Sequence, residues 1–464
     1  MLPIRAHCLS QQILLMKTNT TIITAPWIIP IEPSNTVLYE HAIVIKDGRI
    51  IDLCPQVTAL DKYSDAIIQN RPNHVLLPGL INTHTHAAMC LFRGLADDLP
   101  LMSWLENHIW PAEAKWVDNN FVRDGTELAI AEMLSSGTTC FSDMYFFPDT
   151  VARTSQDLGI RAAVGLIVMD FPSAWGSGPE EYIDKGLAAH DEIRSLSRVS
   201  TTMAPHAPYT VSDGPLEQVR TYADELDIPV HIHIHETQAE VDDAEAATGL
   251  RPLARLNELG MLNPKLIAVH MTQLNDDEID LIVSHGVNVV HCPSSNAKLA
   301  SGECRVSELL EAGCNVALGT DSAASNNNLD MFSEMRLAAL VAKQATKNSR
   351  NLPAWQVLEM ATINGAKALN RHHEIGSLLV GKAADLIAVD LSHVATQPVY
   401  DPISQLVYSA SREQVSDVWV NGNHVVEAKA FNTLDVGVIL DKAKSWRDKI
   451  HPSMNQTTQG ENQE

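Results

Sequence analysis

Eight short apolar segments, each of strand length, recur from residue 76 to residue 322, and the segments between them are longer and amphipathic. The eight cover 76–86, 138–144, 161–168, 199–208, 229–236, 266–272, 287–293 and 315–322. Strand-length apolar runs alternating with helix-length amphipathic runs are the pattern of βα units on a parallel sheet. Eight such units are the number that closes a (β/α)8, or TIM, barrel, an α/β fold. One connecting segment carries an explicit helix start. Asn275 can cap, Glu278 stands at the third helical position, and Leu274 can pack on Ile279. Two more helical stretches, 329–346 and 354–369, follow the eighth strand.

The flanks have a different period. Residues 21–68 hold short β-type runs separated by Pro, Asn and Asp-Gly turn signals, and the same character returns from Glu374, with Gly-Lys and Asn-Gly turns. The expected organisation is therefore a small discontinuous β-sandwich domain formed by both terminal segments, 17–75 and 374–450, around a barrel spanning 76–373. The second segment closes with a helix over 441–450. The polar stretch 451–464 is expected to be a disordered tail. Residues 1–15, which precede a second possible start at Met16-Lys17, are expected to be an unstructured extension or a product of a misplaced initiation codon.

In such a barrel the active site lies at the C-terminal ends of the strands. Strand one ends in His84 and His86, strand four in His206, strand five in His231, His233, His235 and Glu236, strand six in His270, strand seven in His291 and strand eight in Asp321. His84 and His86 are two residues apart, so on a strand both face one cavity and can hold one metal ion. His231 shares the face of His233 one layer deeper, as a packed neighbour. His235 is expected to be structural, and His291 either a neighbour of the site or a substrate contact. His108, His190 and His285 fall in helices or loops and are expected to be solvated or packed. Tyr145, Phe146 and Phe147 can line an apolar pocket or fill the core.

Composition removes other classes of function. The 33 Lys and Arg against 57 Asp and Glu give a formal net charge of −24, which opposes nucleic acid and anionic membrane partners. The seven cysteines are scattered without a C-x-x-C pair, as in a reduced, cytoplasmic protein. No apolar run reaches membrane-spanning length, and no secretory signal is expected at residues 1–16. There is no H-x-E with P-C-x-x-C of the cytidine deaminase type, and His235-Glu236 is not followed by the second histidine of H-E-x-x-H.

PGLINTHTH, HIHIHETQAE, VHMTQ, HCPSSNAKLASG and GTDSAASNN together resemble the amidohydrolase superfamily, over nearly the whole chain. More narrowly, WPAEAKW (110–116), SDMYFFP (142–148), APHAPYTV (204–211) and GKAADLIAVD resemble its 5-methylthioadenosine/S-adenosylhomocysteine deaminase branch. The resemblance implies metal ligands at His84, His86, His233 and Asp321, and substrate contacts at Glu113, His206, Glu236 and Asp321. It implies one zinc ion per subunit, because a second metal in the superfamily is commonly bridged by a carboxylated lysine at the end of strand four, where this chain has none. The implied reaction is hydrolytic removal of the 6-amino group of 5'-methylthioadenosine, or of S-adenosylhomocysteine or adenosine, with release of ammonia. Glu236, His270 and Asp321 would be the catalytic groups. The alternative on the same barrel is a deaminase or hydrolase of guanine, a pterin or a triazine. A small-molecule nucleoside partner and a homodimer or higher homo-oligomer are expected. After Arg161 the third loop has no Arg or Lys before Lys185 and offers Met169, Phe171, Pro172 and Trp175, which predicts a preference for the short methylthio end.

Overall fold

A single glycine separates two sheets. The computed structural model describes residues 20–460, with side chains as far as residue 451; the expected extension at 1–15 lies outside the described residues. Five strands come first: β1 (Thr20–Ile28), β2 (Leu38–Lys46), β3 (Arg49–Pro55), β4 (Ile67–Asn70) and β5 (His74–Pro78). The expected first barrel strand at 76–86 is in fact two strands, β5 and then β6 (Leu80–Thr85). At the junction the Gly79 N–H donates to Asp385 O and the next, of Leu80, to Gly137 O, so the backbone changes sheets within one residue. A Cβ on Gly79 would lie 2.0 Å from Thr139 Oγ1, which no side chain tolerates. Leu76 and Leu77 thus belong to the terminal sheet, and the boundary expected at residue 76 moves to this glycine.

The barrel continues with β7 (Thr138–Asp143), β8 (Arg161–Val168), β9 (Val199–Pro205), β10 (Val230–Ile234), β11 (Leu266–His270), β12 (Asn288–His291) and β13 (Asn315–Leu318). These eight are parallel neighbours in chain order from β6 to β13. Nearly every residue on them is buried, as expected for parallel strands covered by helices outside and filled side chains within. At the seam the Asp321 N–H donates to His84 O at 3.0 Å. Gly319 permits that approach, since a Cβ there would lie 2.8 Å from the His84 Cβ. The helix start at Asn275 forms as a full capping box: Asn275 Oδ1 accepts the Glu278 N–H at 2.9 Å, and Glu278 Oε2 accepts the Asn275 N–H at 3.0 Å.

After the barrel come β14 (Leu386–Asp390), β15 (Val415–Val420), β16 (Asn423–Glu427) and β17 (Ala430–Phe431). They join β1 to β5 in one nine-stranded mixed sheet, in which β14 pairs antiparallel with β5. Both chain ends therefore build the second domain. Arg161, at the start of β8, ties it to the barrel: its buried guanidinium bonds Asp385 at 2.5 and 3.1 Å and Glu374 at 3.1 Å. The final helix, Val436–Gly460, docks through Trp446, whose Nε1 donates to Asp124 Oδ2 at 3.0 Å. It runs past the end expected at residue 450, so helix occupies 451–460, where a disordered tail was expected.

Candidate active site

The strand ends converge because parallel strands in a barrel all point one way. Three of them finish in unusual backbone: His235 has φ 54°, His270 φ 74° and Asp321 φ 62°. Such left-handed non-glycine residues cost about 1–3 kcal/mol each and persist where the surroundings hold them, often at functional sites.

Three imidazoles and one carboxylate meet there. Asp321 Oδ1 lies 3.4 Å from His84 Nε2 and 3.3 Å from His86 Nε2, and His233 Nε2 lies 3.2 Å from His84 Nε2. The other ring nitrogens are occupied. His86 Nδ1 donates to Met144 O at 2.5 Å and His233 Nδ1 to His206 O at 2.7 Å, which leaves an Nε2 lone pair on each ring facing the common centre. His84 Nδ1 meets His231 Nε2 at 2.9 Å, and His231 Nδ1 in turn meets Ser142 Oγ at 3.3 Å. His231 is thus a neighbour that orients a ring facing the centre, the arrangement expected behind a metal ligand. Zinc bonds of about 2.0–2.1 Å at tetrahedral angles put adjacent donors about 3.3 Å apart. Three of the six donor separations lie near that spacing. His84, His86 and Asp321 form one group of donor atoms within 4.8 Å of one another, and His84, His233 and His270 a second that shares His84. Imidazole nitrogens with a carboxylate are the right chemistry for zinc.

Asp321 is held by residues that the sequence reading passed over. Its Oδ2 accepts Ser295 Oγ–H at 2.6 Å and Ser325 Oγ–H at 2.9 Å. Although burial works to raise it, the neighbouring His84 and His86 hold the Asp321 carboxyl well below its usual range. Glu236 has the opposite bias. Burial raises it, and His270 Nε2, 3.8 Å from Glu236 Oε2, only partly offsets this. His270 Nδ1 donates to Asn296 Oδ1 at 2.8 Å, so its Nε2 accepts a hydrogen bond in the neutral ring and donates one in the imidazolium. The backbone N–H of Glu236 donates to Glu240 Oε2 at 2.7 Å, which fixes the turn carrying the carboxylate.

Glu113 and His206 stand farther out in the same cavity. Glu113 accepts the Tyr145 O–H at 2.8 Å, and burial pushes its carboxyl up to about 7. Its helix, Trp110–Trp116, follows a π-helical turn at Leu105–Ile109, a local irregularity common at functional sites. Thr210 donates its one hydroxyl hydrogen to Ala207 O, so His206 Nδ1 donates to Thr210 Oγ1 and its Nε2 remains an acceptor. Burial lowers His206 to about 3, which keeps the ring neutral.

All eight expected site residues, His84, His86, Glu113, His206, His233, Glu236, His270 and Asp321, gather at this end of the barrel, seven of them lining one cavity with His84 buried beneath. His291 is buried but does not line it, and His235 turns away to accept the Leu253 N–H. Met169, Tyr145, Phe146 and Phe171 line it. Trp175, expected beside them, instead packs on Phe147 with ring centroids 5.2 Å apart. Ser295, Asn296 and Ser325 lie in the motifs already singled out, but nothing in their spacing shows which side-chain oxygen reaches the site.

Residues 75–425 match the amidohydrolase family. A 5-methylthioadenosine/S-adenosylhomocysteine deaminase from Saccharophagus degradans is 50% identical over 441 residues, 93% of this chain and 98% of that protein. One of the same name from Thermodesulfovibrio yellowstonii is 42% identical over 437 residues, 94% and 100% of the two chains. The zinc-bound crystal structure of an adenosine deaminase from Xanthomonas campestris superposes with a TM-score of 0.91 at 48% identity, covering 93% of this chain and 98% of that one.

Proposed function

The chain belongs to the amidohydrolase family, and from that premise we propose that it is a zinc-dependent hydrolytic deaminase of adenine nucleosides, with 5'-methylthioadenosine as its principal substrate. The observation that carries the reading is the placing of His84, His86 and His233 nitrogens and Asp321 Oδ1 around one centre beside the buried carboxyl of Glu236. The four converging residues would hold one zinc ion. When bound, zinc supplies the Lewis acidity that makes water a nucleophile at neutral pH.

This chain's own groups do the rest. Asp321, kept ionised and aimed by Ser295 and Ser325, accepts the proton that the attacking water loses. Glu236 delivers a proton to the ring nitrogen beside C6, which makes C6 electrophilic; Asp321 then passes the water's proton to the amino group, which leaves as ammonia, while Glu236 takes up the proton of the added hydroxyl. His270, its Nδ1 proton donated to Asn296, accepts a hydrogen bond from the attacking water at Nε2 and so orients it. Glu113 and the Nε2 of His206 bind ribose hydroxyls. A bare guanine or pterin has no hydroxyl to satisfy them, which favours a nucleoside.

A homodimer and a cytoplasmic address belong to the same proposal. The six described cysteines are unpaired, as in a reducing compartment. No helix among the described residues is long and apolar enough to cross a membrane. Ammonia release from adenosine, 5'-methylthioadenosine, S-adenosylhomocysteine, guanine and isoxanthopterin tests the reading. Turnover of the adenine nucleosides is expected; release from guanine or isoxanthopterin with the nucleosides inert would overturn it.

A further inference from the structure

Glu334, on the helix Met331–Thr346 after the eighth barrel strand, is a fully buried carboxylate outside the substrate cavity. No cation among the described residues pairs with it, and burial pushes its carboxyl up to about 7. Its hydrogen bonds go to two different loops. Oε2 accepts the Ser294 N–H at 3.1 Å, in the turn after β12, and Oε1 accepts an Asn326 Nδ2–H at 2.8 Å, in the loop after β13. The same Asn326 amide donates to Thr320 O at 2.7 Å. A carboxylate buried among neutral donors loses hydration that two hydrogen bonds only partly replace, a cost that an apolar side chain at this helix position would avoid.

Each loop presents site residues beside the one that Glu334 grips. After Ser294 come Ser295, which donates to Asp321 Oδ2 at 2.6 Å, and Asn296, which accepts from His270 Nδ1 at 2.8 Å. Before Asn326 comes Ser325, which donates to the same Asp321 oxygen at 2.9 Å, and Thr320, the other partner of the Asn326 amide, immediately precedes Asp321. The two serine hydroxyls themselves meet at 3.0 Å. Resting on the function proposed above, we infer that Glu334 is a positioning residue: its two oxygens hold the loops after strands seven and eight in register, so that Ser295, Ser325 and Asn296 keep Asp321 and His270 in their working orientations. The left-handed backbone of Asp321, φ 62°, needs surroundings of this kind to persist. Both bonds run from N–H donors, so the residue between the loops must offer an acceptor on each side. A carboxylate does this, whereas the amide of Gln turns an NH2 towards one of the two donors.

Glu334→Gln keeps the shape of the side chain and tests the direction of those bonds. Zinc affinity, read by chelator competition without substrate, is expected to fall about tenfold or more, the usual scale for a residue that orients a metal ligand. With zinc saturating, ammonia release from adenosine and 5'-methylthioadenosine is expected to show kcat at least tenfold down and KM within threefold, because the displaced groups handle the water and not the ribose. Asn326→Ala, which cuts the arm to the eighth loop at a partly exposed residue, is expected to shift both readouts in the same direction. In the background of Ser295→Ala with Ser325→Ala, where the hydroxyls reaching Asp321 are gone, Glu334→Gln is expected to lower zinc affinity no more than threefold further. Zinc affinity and kcat within threefold of wild type in Glu334→Gln, or losses that multiply in full with those of the serine pair, would overturn the positioning role while leaving the deaminase reading intact. A wild-type protein inert towards adenine nucleosides would instead overturn the deaminase reading, and the zinc measurement would still decide for or against the hold of Glu334 on Asp321.

Discussion

Glu236 and Asp321 are both buried carboxylates, yet their surroundings assign them opposite tasks. Burial shifts the Glu236 carboxyl upward, whereas the neighbouring His84 and His86 shift that of Asp321 downward, and two serine hydroxyls donate to it. Glu236→Gln should therefore leave the metal bound and reduce kcat by at least about a hundredfold, the usual scale for a positioned acid or base. Asp321→Asn should lower both metal content and kcat. Elemental analysis alongside ammonia release separates the two, and normal turnover by Glu236→Gln would end the proton route proposed for it. At this scale the sequence was most informative about side chains on strand ends. Position along a strand already sets the face, so His84 and His86 could be placed together from spacing, whereas His233 was singled out from His231 and His235 on its own face only by the family resemblance. Ser295, Asn296 and Ser325 could not, because they come from turns and short helices whose direction depends on what they pack against.

The helix Asp276–His285 illustrates what a local signal can and cannot specify. Its capping box was legible because every partner lies within four residues. Asn275→Ala should cost about 1 kcal/mol in urea unfolding, the typical loss for a helix cap. Glu278 has a second role that no local pattern contains: it binds Arg251 at 2.7 and 2.9 Å. Glu278→Ala should therefore cost more than Asn275→Ala, and equal losses would show that the Arg251 pair contributes nothing to stability. The first barrel strand shows the opposite case. The segment 76–86, interrupted at Pro78-Gly79, reads as one strand, and in the fold Gly79, packed against Thr139, divides it between two sheets.

For the molecule as a whole, the barrel and the terminal sheet are joined through Arg161. Breaking a buried ion pair by removing one partner costs about 3–5 kcal/mol, so Arg161→Ala should lower Tm sharply by stranding Asp385 and Glu374. An unchanged Tm in calorimetry would refute that junction. The metal centre is the second global constraint. The purified protein should carry about one divalent ion per chain, and His84→Ala with His86→Ala should lose it. Chelation should lower Tm and added zinc restore it, since a ligand bound only by the folded state stabilises that state. Two tightly held ions per chain would contradict the reading of a strand four that ends without lysine.

By itself the sequence determined the eight βα units, the β-rich flanks and the set of histidines and carboxylates at strand ends, because strand and helix periods and short spacings are local properties of a chain. Three things were decided only by the tertiary structure. One is the switch of sheets at Gly79, which depends on a residue sixty positions away in the chain. Another is the continuation of the last helix to Gly460, where the polar composition of 451–464 pointed to disorder. The third is the grip of Glu334 on two loops, since its partners Ser294 and Asn326 stand 40 and 8 residues away and only packing brings both to one carboxylate.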